Sequence, residues 1–160
     1  MERFLGAVFK LNRFMHAISG IALTFIVLLT TADVVMRAFG RPILGTYEIV
    51  AMAGGIVIGF VMPITSWLRG HIYVDVLIKK LPGRGKDVVD IITRCVGIGL
   101  FLMIGWNVLK IGNTFCTAGE VSNTLQWPMY PIPYAVGMSF FVLSLVLLCD
   151  IFKIIGGSYE

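Results

Sequence analysis

Four runs of about 20 apolar residues, at 15–36, 49–68, 89–109 and 133–155, decide what this chain can become. A hydrocarbon core about 30 Å thick takes about 20 residues of helix to cross. In lipid the backbone must satisfy its own hydrogen bonds, and a helix does so within one segment. Each run is bounded by charge, proline or glycine. Hydrophobic residues make up 58% of the 160 and charged residues 14%, too little polar surface for a soluble domain. The sequence therefore reads as an all-α membrane protein with four transmembrane helices in a single domain, 1–160. The first run reads as a retained helix: a secretory leader has only about 7 to 15 apolar residues before its cleavage site, whereas this run continues to Asp33 and Arg37.

Two amphipathic stretches flank these spans. In residues 72–81, Val74, Leu77, Ile78 and Leu81 fall at helical spacing with Lys79 and Lys80 turned away, and Pro82 and Gly83 stop the helix. Residues 1–14 cluster Phe4, Leu5, Val8 and Phe9 between Arg3, Lys10 and Arg13. Both read as short interfacial helices on the cytoplasmic surface. Arg3, Lys10, Arg13, Arg69, Lys79, Lys80, Arg84, Lys86 and Lys153 fall on one side, and only Arg37, Arg41 and Lys110 on the other. The positive-inside rule then places the N- and C-termini in the cytoplasm. The net charge of +4 is a topology signal that anionic lipid accounts for, and no nucleic-acid partner is read from it.

Ionisable groups within spans need partners. Asp33 and Arg37 stand four residues apart, acid before base, as an ion pair on one helix face. Arg94 and Asp150 fall at similar depth on the third and fourth spans and are expected to pair, with Asp90 competing one turn before Arg94. Glu48 opens the second span, where an acid suits the helix dipole. Ala51, Gly55 and Gly59 recur every fourth residue, a small-residue stripe that serves either packing within the bundle or docking of a partner. Arg69, His71 and Asp75 read as fixing the turn after the second span or contacting a partner. Trp127, with Tyr130 and Tyr134, reads as part of an interfacial aromatic belt, which places membrane lipids among the partners.

Signals for chemistry are weak. Three cysteines without CxxC spacing give neither a disulfide framework nor a zinc site. No HExxH, no Ser-His-Asp order and no glycine-rich phosphate loop occurs. His16 and His71 leave a bis-histidine haem anchor open as a minor alternative. A second alternative is a self-sufficient proton-coupled transporter or exporter, which would use a buried acid. The main reading has no catalytic residue, cofactor or metal site, and the chain is not an enzyme.

In order along the chain stand DVVMR at 33–37, Glu48, RGHIYVD at 69–75 followed by Leu81-Pro82, and TLQWPMYPIPYAVG leading into the fourth span. This pattern, over nearly all 160 residues, resembles the DctQ-like small membrane subunit of tripartite ATP-independent periplasmic (TRAP) transporters. The resemblance implies a scaffold for a large membrane subunit in the bacterial inner membrane. In such a system a periplasmic substrate-binding protein captures an organic acid, such as sialic acid or a C4-dicarboxylate, and uptake is driven by sodium. It implies that substrate and sodium sites lie in the large subunit, so no transport residue is carried over. A chain running from Met to GGSYE suggests a subunit separate from the large one. The segments 33–48 and 119–133 are the parts that would face the binding protein.

Overall fold

A computed structural model of the chain describes residues 2–68 and 83–155. Four helices account for most of them: α1 Glu2–Ala38, α2 Thr46–Trp67, α3 Gly83–Ala118 and α4 Pro131–Ile155. All four are long and apolar enough to cross a membrane. Expected interfacial helix 1–14 and expected span 15–36 are consecutive parts of the single helix α1. The helix expected at 72–81 lies outside the described residues.

The helices pack as an open row in the order α1, α2, α4, α3. α1 also touches α4 near their shared end, where Val8 clusters with Val146 and Cys149. Both described chain ends thus lie at one end of the bundle, called here the termini end. The α1–α2 turn and the α3–α4 connection form the other, the hairpin end.

Polarity is arranged inside out. Ile21 (71% exposed), Leu28 and Val34 are bare, whereas Asn12, Ser19, Ser66, Asp90, Arg94, Ser139, Ser144 and Asp150 are buried. A soluble monomer does not expose contiguous apolar area on this scale, and in lipid it costs nothing. Many hydroxyls return to their own helix, as Thr24 does to the carbonyl of Gly20 at 2.9 Å and Ser144 to that of Phe140 at 3.0 Å. Ser19 instead donates across to the Val57 carbonyl at 3.3 Å, joining α1 to α2.

Lipid gives apolar helices no hydrophobic reason to associate, so close approach does the work. A β-carbon on Gly137 would lie 2.8 Å from Leu109 Cδ2, and one on Gly105 would lie 3.3 Å from the Gly137 carbonyl. Gly112 rests against Pro133 and Tyr134, and Phe101 stacks on Phe140 with centroids 6.0 Å apart. Glycines thus line the α3–α4 seam. The α2–α4 seam uses Gly55 against Ile132 and Gly59 against Val136 and Ser139.

At the hairpin end α1 and α3 stop in the same way. Arg41 N–H donates to the Met36 carbonyl and Gly40 N–H to that of Arg37, with Gly40 at φ 74°. Glu120 and Gly119 repeat the pattern on Phe115 and Cys116, with Gly119 at φ 64°. Left-handed glycines in this Schellman arrangement cap the last carbonyls.

Gly137→Val will lower thermal stability in detergent by about 1 to 3 kcal/mol, the usual cost of overpacking. Gly99→Ala is the control, because a β-carbon there meets nothing within 4 Å. Equal melting temperatures for the two variants would remove the glycine seam as the basis of α3–α4 packing.

Candidate functional site

Two carboxylates organise the hairpin end. Asp33, 5% exposed, sits one turn before the end of α1. Its Oδ2 accepts from Arg37 Nε at 2.8 Å and pairs with Nη2 at 2.8 Å. Its Oδ1 accepts the backbone N–H of Ile43 at 2.9 Å. Thr46 Oγ1 donates to the Ile43 carbonyl at 3.0 Å. One acid therefore holds both its own helix and the turn leading into α2, and the exposed Arg37 serves as its clamp.

Glu48, in the first turn of α2, reaches further along the sequence. Its Oε1 accepts Thr124 N–H at 2.7 Å and its Oε2 accepts Leu125 N–H at 3.0 Å. Those amides belong to a compact hairpin between α3 and α4. Val121 pairs antiparallel with Pro128, Ser122 N–H donates to the Trp127 carbonyl at 2.8 Å, and Met129 N–H donates to that of Glu120 at 3.2 Å. Gln126 holds a left-handed φ of 57°, a conformation a non-glycine residue adopts only when its surroundings require it. Leu125 presses on Gly45, where a β-carbon would lie 2.5 Å from its Cγ and where φ is 79°. The hairpin thus crosses from α3 to the start of α2 and is fastened there by charge-assisted bonds.

Beneath it opens an apolar groove of about 360 Å³, lined among others by Tyr47, Ala51, Met52, Phe115 and Ile132. Trp127 is 54% exposed on the hairpin, and Tyr130 and Tyr134 meet edge to face at 6.4 Å.

A second polar group lies toward the termini end. Arg94, Asp90 and Asp150 are all buried. Arg94 Nη1 lies 3.7 Å from Asp90 Oδ1, and its Nε lies 3.6 Å from Asp150 Oδ2. The guanidinium thus bridges an acid on its own helix and one on α4. The two polar groups are separate: Asp33, Arg37 and Glu48 gather with Trp127 at the hairpin end, and Arg94 with Asp150 at the other, with Gly55 and Gly59 on the seam between. Arg69, His71 and Asp75 lie outside the described residues. His16 is exposed on α1, and among the described residues no three His, Cys, Asp or Glu side chains gather to hold a metal ion.

Sequence reasoning gave Glu48 a helix-dipole role and missed its hold on the hairpin, 76 residues away. It also missed Gly45 and the Gly105–Gly137 approach. Gly119 and the Trp127-Pro128 pair were the only local signals that the connection turns back on itself.

Glu48→Ala will speed hydrogen exchange at the Thr124 and Leu125 amides, in line with losing bonds to a charged group worth about 1.5 to 3 kcal/mol each. Unchanged exchange there would show that the hairpin holds itself. Arg94→Met will cost about 3 to 5 kcal/mol by leaving two acids buried together, and Asp150→Asn will cost less. Chemical unfolding in detergent compares them, and the reverse order would mean that Arg94 is not the charge that holds the group.

Residues 26–157 match the family described as tripartite ATP-independent periplasmic transporters, DctQ component. No curated protein and no solved structure matches the chain. The match takes in three of the four helices whole, the last third of α1 and both carboxylate clamps. This multi-pass protein of the bacterial inner membrane belongs to the DctQ component family of TRAP transporters.

Proposed function

We propose that the chain is the scaffold of its transporter: it holds the large membrane subunit in place while that subunit carries out sodium-coupled, binding-protein-dependent uptake of an organic acid. The observation that carries this reading is the family match over residues 26–157. Secondary transporters build substrate sites from helices interrupted at mid-membrane. The described spans here are continuous, α2 running on through Pro63. Charge supports termini in the cytoplasm, with nine Lys and Arg on that side against three on the other. The hairpin end then faces the periplasm, where the binding protein docks. Arg69, His71 and Asp75 serve contact or turn formation on the cytoplasmic side, not chemistry.

The test is extraction of the tagged chain from its native membrane in mild detergent, with mass spectrometry of what stays bound. A larger polytopic protein in about equal amount is the result expected of a two-component membrane complex. Recovery of the chain alone, in a detergent that keeps it folded, would overturn the scaffold reading. With the complex in hand, organic-acid uptake into proteoliposomes will require a sodium gradient and the binding protein. Uptake that persists without sodium would remove that coupling.

A further inference from the structure

Among the described residues α3 is an edge helix that packs chiefly on α4. Gly105 and Gly112 mark its packed side. On the opposite side Val96, Leu100, Met103, Asn107 and Lys110 recur at intervals of four, three, four and three residues, which keeps them on one face. That face changes character along its length. Val96 (65% exposed), Leu100 (48%) and Met103 (64%) are bare and apolar. Asn107 and Lys110 are bare and polar, and Trp106, 59% exposed, stands beside them with Lys110 Nζ 6.0 Å over its ring.

The height of the polar end is fixed by packing. Gly112 rests on Pro133 and Tyr134, and Tyr134 pairs with Tyr130. Lys110 and Trp106 therefore stand near the aromatic belt, where headgroups meet hydrocarbon. From Lys110 down to Val96 is about 21 Å at 1.5 Å per residue, enough to cover one leaflet's hydrocarbon of about 15 Å. Among the described residues no carboxylate pairs with Lys110. Asn107 Nδ2 spends one hydrogen on the Met103 carbonyl at 2.8 Å and keeps the other.

We propose that this face binds an anionic phospholipid in the leaflet at the hairpin end. Lys110 and Asn107 hold the phosphate, Trp106 flanks the headgroup, and the acyl chains lie along Met103, Leu100 and Val96. Charge complementarity selects the occupant: the one lysine at this level meets a fixed phosphate charge, and the apolar ladder below it has the length of the lipid's tail. The assignment rests on the membrane reading alone and stands whether or not the chain is a scaffold.

Native mass spectrometry of the full chain, titrated with phosphatidylglycerol or phosphatidylcholine, tests it. Lys110→Gln will weaken phosphatidylglycerol retention about fivefold, the worth of one lysine at an anionic surface. It will leave phosphatidylcholine retention nearly unchanged, and Lys110→Arg will restore the difference. Arg13→Gln, an exposed cation on α1 at the other end of the bundle, is the control for general charge loss. Equal phosphatidylglycerol retention by wild type and Lys110→Gln overturns the proposal. So does a Lys110→Gln variant that loses a copurifying membrane protein while keeping its lipid, since the face would then belong to a helix of that partner.

Discussion

The approach of α3 to α4 at Gly105 and Gly137 is the contact on which the row depends. In water, apolar helices are driven together because their surfaces leave the solvent. In lipid that drive is missing, and dispersion between closely packed atoms together with a few polar contacts must replace it. A β-carbon 2.8 Å from Leu109 or 3.3 Å from a backbone carbonyl would force its neighbour to shift, so glycine lets the two helices approach this closely without strain. α4 carries such seams on two sides, toward α3 and toward α2. It is accordingly the most buried helix of the four, while α1 and α3 at the edges are the least.

The polar groups then fix what close packing leaves free. Packing of small residues permits sliding, because one glycine stripe resembles itself a turn away. Directed bonds do not. Asp33 ties α1 to the turn before α2, Glu48 ties α2 to the hairpin before α4, and Arg94 ties α3 to α4. Asp33 and Glu48 act within the last or first turns of their helices, where a lost register would first show. Asn12 fits this scheme least well: it is fully buried on the packed face of α1, and among the described residues neither of its side-chain polar atoms has a partner.

Much of this was legible in the chain. A run of about 20 apolar residues has few alternatives in lipid, and all four runs appear as helices. Their ends were less legible. Hydropathy marks the third run as 89–109, whereas the helix spans Gly83–Ala118; α1, Glu2–Ala38, joins the amphipathic stretch 1–14 to the run 15–36. Hydropathy reports where lipid is, whereas a helix stops where its carbonyls are capped, and here Gly40 and Gly119 do the capping. The partners of Asp33 and Glu48 were half legible. Arg37 lies on the same helix four residues away and can be read from spacing. The amides of Thr124 and Leu125 cannot, because a backbone N–H has no signature in sequence and this pair is brought near only by α2 and α4 packing side by side.

An open row has a consequence that a closed ring of four helices would not. In a ring each helix has two neighbours, and one face is left for lipid. Among the described residues α1 and α3 each pack along one neighbour for most of their length, so two edges and two broad surfaces remain available. Such a shape suits a subunit whose work is contact. On the proposed scaffold reading, its exposed apolar faces would meet a larger membrane protein, and the clamped turn and hairpin would meet a soluble one. Rigidity matters because ordering a loose loop on binding draws on the affinity. On the scaffold reading, the Asp33 and Glu48 clamps meet that cost during folding, before any partner arrives.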